Sequence, residues 1–327
     1  KNKYYNTIMN VVESTLRGNL PPLKTNSSGW LTMNCPMCVH NGESRPDSKG
    51  RGGWRFDTDK TAYHCFNCGY TTGWRPGSKL GFKLIKMMRV LGIDEAEIQR
   101  LKILLWDQVV EEVEQEEKVV FNKEWPEIPY PFELTDLKDE AIEYLTGRGI
   151  FDLAEWEQTN QIGMKQRVIL PYTDNTKVVG YMARWIGDPP KGTAKMLRKS
   201  PDEFVFNLDK QPKKRKYTIV CEGEYDALAI GGVAILSNKI SKYQAQLIED
   251  LDTEPVMLAD KDPGGKSLVE DAINLGWNVS FPDWPAGIKD ANEAILHFGR
   301  VATLQSILMA IEHSPLKVKL LMRRWGV

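Results

Sequence analysis

The chain has 327 residues, 42% of them hydrophobic and 27% charged, with a formal net charge of −1. These are globular values, with room for two or three domains, and the near-zero charge leaves bulk electrostatics silent about any nucleic-acid partner. No stretch is apolar and long enough to span a membrane, and Lys1 to Asn6 lacks the apolar core of a signal peptide. Charge is segregated instead. Glu111 to Glu117 carries five glutamates, whereas Lys213 to Lys216 and the last fourteen residues hold only basic charges.

In residues 1–80 the cysteines set the reading. Cys35 and Cys38, then Cys65 and Cys68, form two C-x₂-C knuckles with 26 residues between them. In a cytosolic setting such pairs argue for metal rather than disulfides. Four thiolates suit one tetrahedral Zn²⁺, and a closed Cys₄ site is structural. The spacer is expected to form a small sheet with loops, a zinc-ribbon-like β domain. His40 and His64 adjoin the knuckles; because the Cys₄ set is complete, a surface role or a place beside the ligands is expected of them. Between the knuckles stand Arg51, Trp54, Arg55, Phe56, Tyr63 and His64. Interleaved rings and cations suit single-stranded DNA, where bases stack and cations hold phosphates. For Trp54 and Phe56 a buried ribbon core competes equally. Arg51 and Arg55 lean towards DNA, because small domains rarely bury arginine.

Residues 81–117 read as core-facing helices, with Phe82, Ile85, Met88, Ile98, Leu101 and Leu105 near helical spacing. Three prolines, Pro126, Pro129 and Pro131, end any helix and mark 118–131 as a semi-extended linker. Such a tether would hold the first domain at high local concentration near the rest.

Residues 132–216 form a basic half. A helix from Leu134 ends at Gly147 to Ile150. Apolar runs on either side of Asp174 and Asn175 predict a hairpin that carries Arg167 and Arg184. Lys195, Arg198 and Lys199 follow, before Ser200 and Pro201. Lys213 to Lys216 read slightly better as a solvated turn than as a binding patch.

Residues 217–297 organise the chain. Strand-like runs from Tyr217, Val256 and Val279 alternate with helical patterns, the signature of a parallel sheet with right-handed crossovers. Ligands bind outside the carboxyl ends of such strands. Glu222, Asp260 and Asp262 stand at strand ends, Asp290 follows the third strand, and Asp226 lies four residues beyond Glu222. Clustered carboxylates repel and hold protons unless a cation joins them; Mg²⁺, with oxygen ligands, is the expected occupant. Asp and Glu also end strands as turn residues, so the set carries more weight than any one member. Glu222 is expected in acid–base work or direct metal contact. Asp226 either binds a second ion or orients the ligands. Gly264 to Ser267 is not a P-loop, because its first glycine position falls on Asp260. Residues 298–327 are expected as a basic helical tail. It docks on a partner, touches DNA, or packs on the core with its cations in water.

Glu222-Gly223-x-x-Asp226, Asp260-x-Asp262 and Lys289-Asp290-Ala291-Asn292-Glu293 resemble the topoisomerase–primase (Toprim) catalytic core. With the Cys₄ motif and Tyr144-Leu145-x-x-Arg148-Gly149-Ile150, nearly the whole chain resembles bacteriophage-type DNA primases, most of all the stand-alone subunits that act with a separate helicase. The resemblance implies an α/β chain: zinc-binding template reader, linker, catalytic domain with a Toprim parallel-sheet core, and short C-terminal helices. It implies short RNA primers made de novo on single-stranded DNA from ribonucleoside triphosphates, with one structural Zn²⁺ and one or two catalytic Mg²⁺, Mn²⁺ being an alternative. By resemblance Arg167, Arg184 and Lys195 hold nucleotide phosphates and template, although an extra residue before Ser200 leaves Lys195 in competition with Arg198 or Lys199. Where related sequences carry a second acid after Asp290, this chain has Asn292. Implied partners are a helicase in trans and, beyond it, a single-stranded DNA-binding protein and a DNA polymerase, with no membrane. The implied location is the cytoplasm of an infected bacterium at the replication fork. Rival readings are a Toprim nuclease, a non-catalytic zinc/Toprim clamp of the recombination-mediator kind and, more remotely, a topoisomerase.

Overall fold

The computed structural model describes residues 11–27, 29–57, 60–76, 78–106, 125–212 and 215–325. The chain divides into two compact units, Lys1–Val119 and Val120–Val327. It is an α/β protein with separate antiparallel and mainly parallel sheets.

In the first unit, helix α1 (residues 11–18) precedes a five-stranded antiparallel meander. Its strands are β1 (Lys24–Thr25), β2 (Leu31–Met33), β3 (Gly52–Phe56), β4 (Thr61–Cys65) and β5 (Thr71–Trp74), paired in chain order. The β2–β3 connection holds Cys35 and Cys38, while Cys65 ends β4 and Cys68 lies in the β4–β5 connection. Period-two alternation in β4 buries Thr61, Tyr63 and Cys65. Helices α2 (Phe82–Val90) and α3 (Glu95–Trp106) then bury Leu84, Ile85, Met88, Ile98 and Leu101 with that sheet, as their spacing predicts. Residues 107–124, which include the acidic run and the first part of the expected linker, lie outside the described residues.

The second unit opens with Trp125, which is buried and packs its ring 5.1 Å from Phe204. Ile128 donates its N–H to the Val178 carbonyl. The stretch 125–131 is therefore not a free tether, because its apolar residues find a core to join. Helix α4 (Asp139–Gly147) and a 3₁₀ turn (Phe151–Leu153) lead into the expected hairpin, β6 (Arg167–Asp174) with β7 (Lys177–Trp185). β8 (Met196–Lys199) adds a third antiparallel strand.

The remaining sheet has the order β10–β9–β11–β12–β13. β9 (Tyr217–Cys221), β10 (Val233–Ala234), β11 (Glu254–Met257) and β12 (Asn278–Ser280) are parallel, and β13 (Ile311–Glu312) runs antiparallel at the edge. The helices are α5 (Glu224–Ile230), α6 (Lys242–Glu249), α7 (Pro263–Leu275), α8 (Ala291–Phe298), α9 (Arg300–Met309) and α10 (Pro315–Trp325). From β9 the chain steps to β10 on one side, whereas from β11 it steps to β12 on the other. The sheet thus reverses direction between β9 and β11, where open α/β sheets form their ligand crevice. The basic tail does more than trail. β13 extends the sheet, and Val318 and Met322 of α10 are buried while Lys317, Lys319 and Arg323 stay exposed.

Candidate metal centres and nucleic-acid interface

The four cysteines of the first unit meet. Cys35 Sγ lies 3.9 Å from Cys68 Sγ and Cys38 Sγ 3.8 Å from Cys65 Sγ, and all four fall within 4.8 Å of one another. A tetrahedral Zn²⁺ with Zn–S near 2.3 Å spaces its sulfurs by about 3.8 Å, so the set fits that ion. Backbone and side-chain N–H groups already point at three of the sulfurs: Met37 N at Cys35 (3.3 Å), Asn67 N at Cys65 and Asn67 Nδ2 at Cys38 (both 3.4 Å). Neither His40 nor His64 belongs to the set. Asp47, which sequence reasoning did not single out, props the first knuckle by accepting from Cys35 N, Arg51 N and Lys49 N. Burial works against its charge, but these bonds and the Arg51 guanidinium outweigh it and hold its carboxyl down at about 2.

The rings between the knuckles divide. Trp54, for which stacking and a core role compete in the sequence, and Tyr63, a stacking candidate, are 0% and 2% exposed, with ring centroids 5.0 Å apart. They are the core of the sheet, because Tyr63 shares its strand face with Cys65 of the thiol set. Phe56 stacks on Trp54 at 5.6 Å and is covered by the Arg17 guanidinium at 4.1 Å. Arg51 is half committed, bonded to Asp47 and to Asn67 Oδ1. Arg55 is exposed and pairs with Asp57 at 2.9 Å. His64 meets the ring of Phe66 edge-on at 4.4 Å, and Phe66, inside the second knuckle, is 80% exposed. Phe66 is the outward ring that the sequence reading missed.

In the second unit the predicted acids gather at the β9/β11 crevice. Glu222 follows β9 directly, Asp260 and Asp262 follow β11, and Asp226 lies on α5. Asp262 and Asp290 are N-caps of α7 and α8, accepting from Gly265 N at 2.9 Å and Glu293 N at 2.8 Å. Burial first, then the charges of Asp226, Asp290, Glu222 and Asp262, push Asp260 up to about 8. Asp226 is pushed up to about 7 by burial and by Asp290, against N–H groups of Asn292 and Ala291 that favour its anion. Burial also raises Glu222, with Asp262 adding to it and Arg198 opposing. Burial raises Asp290, with Arg148 and Arg184 opposing. Five carboxylates thus act on one another with incomplete compensation, the condition that a hard divalent ion relieves. Unlike the thiols, their oxygens form no set within 4.8 Å among the described residues. The acids therefore line the crevice without closing on one point.

The basic side differs from expectation. Arg184 faces the crevice, its Nε donating to Tyr144 Oη at 3.1 Å and its guanidinium 4.8 Å from the Tyr225 ring. Arg167 does not serve as expected. It is 2% exposed and donates to the carbonyls of Ala183, Lys195 and Ala194, so its charge steadies the β7–β8 loop. Lys195 pairs with the exposed Asp188 at 3.5 Å. Arg198 and Arg148 stand nearer the acids instead. Arg198 grips Glu224, a buried acid that the sequence reading missed. Arg148 is tied to Asn292, which donates to the Arg148 carbonyl at 2.8 Å and accepts from its Nη1 at 3.4 Å. An aspartate at 292 could not make the first of these bonds.

No family model matches the chain, and no curated protein matches it. Among solved structures it is similar to a DnaG catalytic core (20% identity, 57% of this chain and 77% of that one, TM-score 0.45). It is also similar to the zinc-binding and RNA polymerase domains of the Aquifex aeolicus primase (18% identity, 94% of this chain and 85% of that one, TM-score 0.42). A third similarity is to a chain in the structure of bacteriophage T7 lagging-strand DNA polymerase with primase domains of two gp4 subunits (20% identity, 52% and 87% covered, TM-score 0.38).

Proposed function

We propose that this chain is a DNA primase, a nucleotidyltransferase that makes short RNA primers de novo on single-stranded DNA. The observation that carries the reading is the acidic crevice between β9 and β11, ringed by Arg148, Arg184 and Arg198. In the resemblance drawn from the motifs, that combination performs phosphoryl-group chemistry. The likeness to solved structures, at TM-scores below 0.5, carries none of it.

Glu222, Asp260 and Asp262 hold Mg²⁺ in this reading, with Asp226 and Asp290 completing the ring. Mg²⁺, when bound, supplies a Lewis acid that lowers the pKa of a primer 3′-hydroxyl and offsets charge at the α-phosphate. Glu222, whose carboxyl is raised by burial and by the charge of Asp262, is the group assigned to take the hydroxyl proton. Arg184 and Arg148 offset triphosphate charge that carboxylates alone cannot cradle. The Cys₄ unit reads the template. Its cations Arg55 and Arg51 meet phosphates, while Phe66 and His64 stack on bases. Residues 1–80 form the reader, 81–117 its helical extension, 118–131 the connection whose last part, 125–131, packs on the second unit, 132–216 the basic subdomain, 217–297 the Toprim subdomain and 298–327 the tail. Ribonucleoside triphosphates are the substrates, a helicase in trans is the partner, and the replication fork of an infected cell is the setting.

The test is incorporation of labelled ribonucleotides on mixed-sequence single-stranded DNA with Mg²⁺, with and without helicase. Short template-dependent RNA is expected. Degraded template would replace the reading with a nuclease, and DNA binding without product under both conditions would replace it with a clamp.

A further inference from the structure

Arg198 lies on β8 of the antiparallel sheet, yet its main contacts cross to the parallel one. Nε and Nη2 take the two oxygens of Glu224 at 2.9 and 3.0 Å, a bidentate pair whose side chains are 25% and 4% exposed. Nε also reaches Tyr172 Oη at 3.0 Å, and Tyr172 donates its hydroxyl to the same carboxylate. Nη1 donates to the Leu236 carbonyl at 3.0 Å. Leu236 in turn donates its own N–H to the Glu222 carbonyl at 3.0 Å. Its φ is 60°, a left-handed conformation that a leucine keeps only where its surroundings hold it. Glu222 is thus bracketed twice. One bracket runs two residues along the chain to Glu224, the other across a hydrogen bond to Leu236, and both end on one guanidinium. Bidentate geometry at low exposure fixes direction as well as distance. All three guanidinium nitrogens are engaged by the protein, which suits a strut better than a ligand for a passing phosphate.

We infer that Arg198 is a positioning residue that presets the Glu222 carboxylate through Glu224 and the Leu236 peptide, so that the acidic crevice is ordered before a divalent ion arrives. The inference rests on the divalent-ion reading of the crevice given above. Nothing in the sequence joins these residues, since Arg198 lies on a strand of the antiparallel sheet and Glu224 opens helix α5 beside the parallel one.

The test titrates the zinc-loaded full chain with Mn²⁺ alone, read by electron paramagnetic resonance, alongside thermal melting. Arg198→Lys keeps the charge but cannot make the bidentate pair and the carbonyl bond together. Glu224→Gln keeps the shape and serves as the second variant. Each is expected to weaken Mn²⁺ binding at the crevice roughly tenfold to a hundredfold. The double variant should be no weaker than the weaker single one, because both remove one unit. A plain staple between the sheets would lower the melting temperature and leave Mn²⁺ affinity at the wild-type value; that result overturns the inference. Glu222→Gln separates the two readings. If it loses the Mn²⁺ site while Arg198→Lys and Glu224→Gln keep it, only this inference falls. If Glu222→Gln leaves Mn²⁺ binding unchanged, the crevice is not the divalent site and both fall.

Discussion

In the first unit four thiols lie within 4.8 Å of one another, with N–H groups already aimed at three of the sulfurs. In the second, five carboxylates surround a crevice without closing on a point, and burial, joined by repulsion from neighbouring carboxylates, raises four of them. The first arrangement suits an ion that stays and holds the fold. In the proposed function, the second holds an ion whose coordination stays open to a substrate. Two elements of secondary structure account for the contrast. Hairpin knuckles bring soft ligands inward from both sides, whereas parallel strand ends line up hard ligands along one rim.

The largest effect expected is on catalysis alone. Glu222→Gln or Asp260→Ala should reduce RNA synthesis below detection while leaving one zinc per chain by elemental analysis; full activity from either would break the assignment of the crevice. Next, Cys35→Ser or Cys65→Ser should cost zinc and unfold the first unit, since structural zinc supplies apparent binding energy of about 10 kcal/mol or more. The second unit should keep its melting transition and its Mn²⁺ site. Joint loss of both transitions would show that the two sites are not independent.

A third effect sharpens the comparison through pH. Asp260 moves from 3.8 in the unfolded chain to about 8 in the fold, and Asp226 from 3.8 to about 7. A carboxyl raised on folding binds its proton more tightly in the native state. Its stabilising contribution is complete below pH 3.8 and is lost as pH rises through the folded value. Without divalent ions the melting temperature of the second unit should therefore fall between about pH 4 and 8 on account of these acids. Excess Mg²⁺ should restore it at pH 8. A melting temperature at pH 8 that Mg²⁺ does not move would contradict the open-site reading.

The smallest effect separates inward from outward rings. Trp54→Ala should cost about 3–5 kcal/mol of stability, as for other buried large aromatics. Phe66→Ala should change stability by less than about 0.5 kcal/mol. Its effect should fall on single-stranded DNA affinity, at about 1–3 kcal/mol for a stacking ring. Equal template binding by Phe66→Ala and wild type would remove that ring from the interface.

Much of this was legible in the sequence because it depends on local pattern. Cysteine spacing foretold the thiol set, and apolar runs ending on acids foretold that Glu222 and Asp260 follow β9 and β11. The hairpin at Asp174 and Asn175 announced itself by turn chemistry. Strand parity places Tyr63 inward, because it shares the strand face of Cys65, whereas the mixture of rings and cations points outward. The role of Arg167 was illegible for a different reason. Its partners are backbone carbonyls of Ala183, Ala194 and Lys195, and backbone atoms leave no mark in side-chain identity. The Arg198–Glu224 pair and the Arg148–Asn292 pair join elements far apart in the chain, 26 and 144 residues, where a single sequence holds no pairing signal.

The most direct test of the central contrast is RNA synthesis on single-stranded DNA before dialysis against a mild chelator, after it, and after Mg²⁺ is returned, with zinc quantified in the same samples. The account predicts that synthesis disappears on dialysis and returns with Mg²⁺ alone while zinc stays at one per chain throughout. Synthesis that survives the loss of Mg²⁺, or that returns only when zinc is added back, would contradict it.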